Sequence, residues 1–152
     1  MEIAIAKYFG IRQHIIVPNL SWGLSGLRHE CDLFVIKRSG YAIEIEIKRT
    51  KADFLADFKK GHNHIDRKKR ISEFYYAFPD DIYEKCANLV PENAGVFICK
   101  RYDDRVFASV KKSPVKIKEA RKLTTEEQLK VASLGTMRIW SLKQKLIKAK
   151  DE

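Results

Sequence analysis

An alternation of charged and apolar side chains most constrains what this chain can fold into. Residues 30–48, ECDLFVIKRSGYAIEIEIK, hold two such runs separated by a turn that contains glycine. Because successive side chains of a strand point to opposite faces, the second run separates its isoleucines from its charged residues. One face takes Ile43, Ile45 and Ile47, and the other takes Glu44, Glu46 and Lys48.

The first run of this segment follows the same alternation. Cys31, Leu33 and Val35 take the apolar side, and Glu30 and Asp32 take the opposite one. The two runs together therefore predict a β-hairpin with one apolar face and one charged face.

The turn decides whether the two charged rows meet, because a shift of one residue moves all side chains of a strand to the other face. A two-residue turn at Ser39-Gly40 would pair Asp32 with Ile47 and mix the faces. A three-residue loop over 38–40, with Gly40 in the left-handed conformation, pairs Asp32 with Glu46. We predict the second register because it matches apolar with apolar residues across the hairpin. It also pairs Lys37 with Tyr41 and Glu30 with Lys48.

The charged face of this hairpin has the composition of a metal site. Crowded carboxylates repel one another and are costly to desolvate, so a divalent cation is a natural counter-charge. Oxygen ligands favour Mg²⁺ or Mn²⁺, which serve the hydrolysis of phosphate esters. Lys48 can orient the attacking water or neutralise charge on the phosphate. The alternative is a solvated strand face with a cross-strand ion pair.

These residues resemble the PD-(D/E)XK nuclease superfamily. The similarity rests on Asp32, on Glu46-Ile47-Lys48 in the next strand, and on a helix that begins with residues 50–54, TKADF. It is nearest to small single-domain nucleases of the virus-type replication and repair group and to related DNA-repair proteins, and it covers roughly residues 1 to 80. One departure is that Cys31, not proline, precedes Asp32.

The resemblance implies a restriction-endonuclease-like α-β-β-β-α-β core, magnesium dependence and phosphodiester cleavage. Asp32 and Glu46 match the metal-binding acids, Ile47 supplies a main-chain carbonyl to the ion, and Lys48 matches the catalytic lysine. Further candidate metal ligands are Glu30, Glu44 and Glu2, the last of which stands where many relatives carry one more acid.

The chain of 152 residues predicts one folding unit. We expect an α/β (α+β) fold in which helices flank a mixed sheet, with strands and helices added after the core. Residues 1–110 form the nuclease-like core, and 111–152 form a basic helical extension packed on the same domain. The absence of a membrane-spanning run and the odd number of cysteines predict a cytoplasmic protein with no membrane partner.

The net charge of +10 is concentrated in two blocks. Residues 48–70 hold nine basic and three acidic residues, and residues 111–150 hold twelve and three. A phosphate backbone is the partner that such blocks favour, with DNA preferred over RNA, although basic runs also serve solubility alone. The candidate contacts are Lys51, Arg67, Lys68, Lys69 and Arg70.

Helices are predicted on both sides of the hairpin. Residues 2–9 form the first, and Thr50 caps another that runs to about Lys60. Within the second helix we expect Phe54, Leu55 and Phe58 to cover the sheet. Asp53 and Asp57 share another face, either as partners that support the site or as solvent-facing acids, and we favour the second interpretation.

The C-terminal region has its own helix signals. Thr124 and Glu127 form a capping box for a helix that ends near Gly135. A second helix runs from about Met137 to Lys148. Its apolar residues, Ile139, Leu142 and Leu146, are expected to dock on the core.

The sequence therefore predicts a magnesium-dependent nuclease that acts on DNA. Two alternatives stay open: a nucleic-acid-binding module of the same fold without turnover, and an endoribonuclease that uses the same acids. A homodimer is a further candidate assembly, since nucleases that cut both strands often pair.

Overall fold

The computed structural model describes residues 1–21, 30–59 and 70–151. In chain order its helices and strands are α1 (Glu2–Phe9), β1 (Ile15–Leu20), β2 (Cys31–Ile36), β3 (Ala42–Ile47), α2 (Lys51–Lys59), β4 (Ile71–Pro79), α3 (Asp80–Cys86), a 3₁₀ turn (Ala87–Leu89), β5 (Gly95–Tyr102), β6 (Arg105–Lys112) and α4 (Thr125–Asp151).

The strands form a six-stranded sheet in the order β1-β2-β3-β4-β5-β6. The first three strands are antiparallel neighbours, and β6 is antiparallel to β5. In contrast, β4 is parallel to both β3 and β5, with α2 and α3 in the connections. The predicted mixed sheet flanked by helices is confirmed at this level.

The core lies on both faces of the sheet. On one face Ile5 of α1 packs with the alternate apolar residues of the hairpin, which include Leu33 and Ile43. On the other face Val131 of α4 packs with Phe34, and Phe54 of α2 is buried. The prediction for Cys31 is wrong in one respect. The members of the α1-side cluster from the hairpin are Leu33, Val35, Ile43, Ile45 and Ile47, whereas Cys31 packs in the cluster of Phe34 and Val131.

The hairpin turn has the predicted three-residue loop. The Lys37 N–H donates to the Tyr41 carbonyl at 2.9 Å, and the Gly40 N–H donates to the Lys37 carbonyl at 2.8 Å. Gly40 has φ +88°, a conformation that costs glycine little because it has no Cβ. The paired residues of β2 and β3, from Leu33–Ile45 to Ile36–Ala42, have the predicted register.

The prediction of two C-terminal helices is wrong, because α4 is continuous from Thr125 to Asp151. Gly135 lies inside it, where an added Cβ would lie 3.0 Å from Val17 Cγ2. This glycine therefore permits a close approach of α4 to β1 and does not end the helix. The predicted capping box is confirmed, since the Glu127 N–H donates to Thr124 Oγ1 at 3.2 Å and the Thr124 N–H to Glu127 Oε2 at 2.9 Å.

Only the first part of α4 reaches the core. Val131 is buried, whereas Ile139, Leu142 and Leu146 are 55%, 58% and 63% exposed. The prediction that these three residues dock on the core is therefore wrong. Among the described residues, no helix combines the length and apolar character needed to cross a membrane.

Candidate functional site

The charged row of β3 is buried instead of facing solvent. Glu44, Glu46 and Lys48 are 0%, 7% and 5% exposed. Since α2 and α4 cover this face of the sheet, the charges lie between the sheet and the helices. Burial of this kind separates the group from an ordinary solvated strand face, where charges contribute little.

Asp32 joins this group from β2. Continuing the hairpin register by one residue beyond the Leu33–Ile45 pair places Asp32 opposite Glu46. The Ile47 N–H donates to Asp32 Oδ2 at 2.7 Å, which fixes the carboxylate against β3. Burial raises the pKa of Asp32, while this backbone hydrogen bond and the charge of Lys48 lower it in part.

Lys48 bridges the sheet and α2. Its Nζ lies 3.1 Å from Glu46 Oε2 and 2.9 Å from Asp57 Oδ1. The expectation that Asp57 faces solvent is therefore wrong, whereas Asp53, one turn earlier, is exposed as predicted.

The pKa values follow from this crowding. Burial, followed by the negative charge of Glu44, raises the pKa of Glu46 to about 7. Burial also lowers the pKa of Lys48, but the hydrogen bond to Asp57 and the charge of Glu46 outweigh it, so the pKa rises. Lys48 is therefore charged at neutral pH, whereas the carboxyl group of Glu46 changes its protonation state close to pH 7.

One oxygen of the group has no hydrogen-bond donor in the described part of the chain. Glu46 Oε1 is buried and receives no hydrogen bond there, while Glu46 Oε2 accepts one from Lys48. A buried carboxylate oxygen in this state is costly and suits a cation. Within residues 1–21, 30–59 and 70–151, no three His, Cys, Asp or Glu side chains form a group that could hold a metal ion.

The other predicted ligands have different positions. Glu44 is buried on the face that carries Glu46. In the parallel pair of β3 and β4 it lies opposite Phe74. Glu30 is exposed and lies before β2, beyond the paired residues of the hairpin, while Lys48 bonds to Glu46 and Asp57. Glu2 belongs to α1, which packs on the opposite face of the sheet. The structure therefore does not bring Glu2 or Glu30 to the buried group.

The predicted nucleic-acid contacts are described in part. Lys51 is exposed in the first turn of α2. The predicted cap of this helix is confirmed, since the Asp53 N–H donates to Thr50 Oγ1 at 3.1 Å. Arg70 donates from Nε to Glu127 Oε1 at 3.0 Å, so it supports the start of α4. Arg67, Lys68 and Lys69 lie outside the described residues.

Sequence reasoning favoured the wrong one of its two interpretations of Asp57. A signal for the other was present, because Asp57 follows the buried Phe54 by three residues and so lies near the same side of α2. The predicted apolar stripe was only partly correct: Phe54 is buried, Leu55 is exposed, and the side chain of Phe58 lies outside the described set.

Comparison with known proteins supports the fold alone. No protein-family model matches the chain, and no curated protein matches it. Among solved structures it is similar to SPO1766, a protein of unknown function from Silicibacter pomeroyi. The TM-score is 0.64 at 18% sequence identity, over 98% of this chain and 90% of that one.

Proposed function

We propose that this protein is a divalent-metal-dependent nuclease that hydrolyses phosphodiester bonds of DNA. The observation that carries the proposal is that the buried Glu46 and Lys48 lie with the partly buried Asp32 on one face of two paired strands. The element order from α1 to β4, helix, three strands, helix, strand, supports a PD-(D/E)XK type of core.

The residues present fit a magnesium or manganese ion. Asp32, Glu46 and the main-chain carbonyl of Ile47 would hold it, and the buried Glu46 Oε1 is an oxygen available to it. When bound, such an ion polarises a phosphoryl oxygen and lowers the pKa of a bound water. Two carboxylates and one carbonyl leave other ligand positions to water and substrate phosphate, as is common for Mg²⁺.

Lys48 supplies the proton-bearing group of the site. Its ammonium keeps its charge because Glu46 and Asp57 hold it from two sides. It donates a hydrogen bond to the attacking water or to a phosphate oxygen, where negative charge grows during cleavage. Asp57 acts through Lys48 as a positioning residue and fixes the direction in which the ammonium points.

A cleavage assay tests this proposal. Linear, nicked, flap and branched DNA are incubated with the protein in Mg²⁺ and in EDTA. We expect Mg²⁺-dependent cleavage of at least one substrate, and a loss of at least about 100-fold in Asp32→Ala, in line with the weight of metal and electrostatic catalysis. Asp81→Ala, which removes an exposed acid of α3, is the matched control and keeps the wild-type rate. Equal rates in wild type and Asp32→Ala would refute the proposal.

A nucleic-acid-binding module without turnover is the second candidate. The observation that favours it is that Lys48 already neutralises Glu46 in the ion pair. It predicts salt-sensitive binding that survives Glu46→Gln, and no carboxylate-dependent uptake of Mn²⁺ by calorimetry. Including an RNA of the same sequence in the cleavage assay separates the endoribonuclease alternative from both.

A further inference from the structure

A cavity of about 550 Å³ opens on the sheet face that carries the buried carboxylates. Its volume lies in the range of small-molecule sites. The wall is mainly apolar and aromatic, and it is formed by Ile71, Phe74, Tyr76, Pro91, Val115 and Ile117, among others.

The cavity lies beside the candidate site. In the parallel pair of β3 and β4, Phe74 is the partner of Glu44 and Tyr76 is the partner of Glu46. Neighbouring strands are about 5 Å apart, so paired residues on one face have adjacent side chains. The aromatic wall of the cavity is therefore one strand away from the carboxylates.

The cavity wall is held by hydrogen bonds and ring contacts. The Val115 N–H donates to the Asn93 carbonyl at 3.0 Å, and the Ile117 N–H donates to the Ser72 carbonyl at 2.9 Å. The Phe74 and Tyr76 rings meet edge to face, with centroids 4.9 Å apart. A ligand that enters this cavity therefore does not have to order its wall first, which reduces the entropic cost of binding.

The rim of the cavity carries polar and positively charged groups. Lys116 and Lys118 are exposed there beside the acid Glu119, and the exposed Asn93 adds an amide. An apolar, flat ligand with an anionic attachment matches this combination of wall and rim. An unpaired nucleobase has these properties, since its ring stacks on aromatic groups and its backbone phosphate is negative.

We propose that this cavity receives an unpaired base of the nucleic-acid substrate, next to the carboxylates that act on its backbone. The inference rests on the proposed nuclease function and names a feature of the substrate. A base in a continuous duplex stays stacked, and extruding it costs a few kcal/mol. The protein therefore binds DNA with an unpaired segment more tightly than a blunt duplex of the same length.

The variant that tests this inference fills the cavity from its exposed wall. Val115→Trp places a large ring at an exposed position without changing any residue of the carboxylate group. Leu129→Trp, at an exposed position of α4, is the matched control for a surface tryptophan. Asn93→Trp fills the same cavity from a second exposed position and replaces Val115→Trp if that chain does not fold.

Binding is measured in EDTA, so that cleavage does not contribute, by fluorescence anisotropy with labelled DNA. The two probes are a blunt duplex and a duplex with a single-stranded extension. Because stacking of one base contributes about 1–3 kcal/mol, we expect Val115→Trp to weaken binding of the extended DNA about tenfold. Binding of the blunt duplex, and both affinities of Leu129→Trp, stay at the wild-type value. Equal weakening for both probes, or no weakening for either, overturns the inference.

Comparison with the cleavage assay separates the two proposals. If wild type cuts no DNA but Val115→Trp selectively weakens binding of the extended probe, the base pocket stands and the nuclease function is wrong. If wild type cuts DNA but Val115→Trp binds both probes as wild type does, the nuclease function stands and the base pocket is wrong.

Discussion

At the scale of residues, the chain is organised around a buried lysine. Lys48 connects Glu46 of the sheet to Asp57 of α2, and all three side chains are nearly inaccessible to water. Breaking a buried ion pair from one side leaves an uncompensated charge, which costs more than the pair itself contributes. The network therefore makes both stability and the charge of the site sensitive to single substitutions.

Asp57→Asn should destabilise the protein by about 1–3 kcal/mol, because the buried ammonium loses one of its two counter-charges. The measurement is the free energy of unfolding in urea. Asp53→Asn is the control, since it makes the same change one turn earlier at an exposed position of the same helix, and it should stay within about 0.5 kcal/mol of wild type. Equal effects of the two substitutions would contradict the role of Asp57.

The contribution of Glu46 to the free energy of unfolding of the metal-free protein should fall as the pH rises from about 4.5 to 7. The pKa of Glu46 is about 7 in the folded protein, against 4.5 ordinarily. Below pH 4.5 the carboxyl group is protonated in both states, and between these values only the unfolded chain ionises, at up to about 1.4 kcal/mol per pH unit. Above pH 7 the difference is constant.

Glu46→Gln isolates this contribution, because its amide does not titrate and all other groups are the same in both proteins. Urea unfolding in EDTA at pH 5, 6, 7 and 8 should show wild type losing stability relative to the variant up to about pH 7. A difference between the two proteins that does not vary with pH contradicts the raised pKa.

The residues of this site differ in how far the sequence could predict them. Asp32, Glu46 and Lys48 could be placed on one face because strand alternation and a glycine turn fix the register from local information. The spacing from Phe54 indicates the side of α2 on which Asp57 lies, but the contact of Asp57 with Lys48 depends on how α2 lies across the sheet. The burial of Glu46 and Lys48 likewise depends on how α2 and α4 cover the sheet.

At the scale of elements, the β2–β3 turn controls the site. Gly40 has φ +88° and is the position that makes the loop three residues long. We expect Gly40→Ala to cost about 1–2 kcal/mol, because a Cβ disfavours the left-handed conformation. Ser39→Ala, at the exposed neighbouring position, should have little effect. Thermal unfolding of the two variants checks this, and equal melting temperatures would contradict it.

The second half of α4 should contribute little to stability. Beyond Trp140 its large apolar side chains, which include Leu142 and Leu146, are exposed. Removing residues 141–152 should therefore change the free energy of unfolding by less than about 0.5 kcal/mol. Val131→Ala, in the buried half, should cost about 2 kcal/mol by loss of packing. A large loss of stability on truncation would show that the exposed half packs in solution.

The error over α4 has a physical cause. A glycine with basic residues beyond it resembles a helix end, and the spacing of Ile139, Leu142 and Leu146 resembles a core-facing stripe. Both patterns are local, whereas the length of α4 and the part of it that is buried depend on how the helix packs on the sheet. Gly135 meets Val17, so its small size serves packing, and the apolar side chains of Ile139, Leu142 and Leu146 beyond it are exposed.

At the scale of the whole molecule, the net charge of +10 should govern binding to nucleic acid. Each phosphate neutralised by a basic side chain releases counterions, so affinity falls as salt rises. We expect affinity for DNA, measured in EDTA, to fall at least about tenfold between 50 and 200 mM KCl, as about two phosphate contacts would require. An affinity that is independent of salt would exclude backbone contacts as the main source of binding.

The tip of the hairpin is held by a part of the chain that comes much later. The Leu123 N–H donates to the Gly40 carbonyl at 2.9 Å, and Leu123 is buried in the core. During synthesis the hairpin leaves the ribosome well before Leu123 does. A nascent chain at that stage has both strands of the hairpin but lacks this hydrogen bond at their turn, so the tip is joined to the core late in translation.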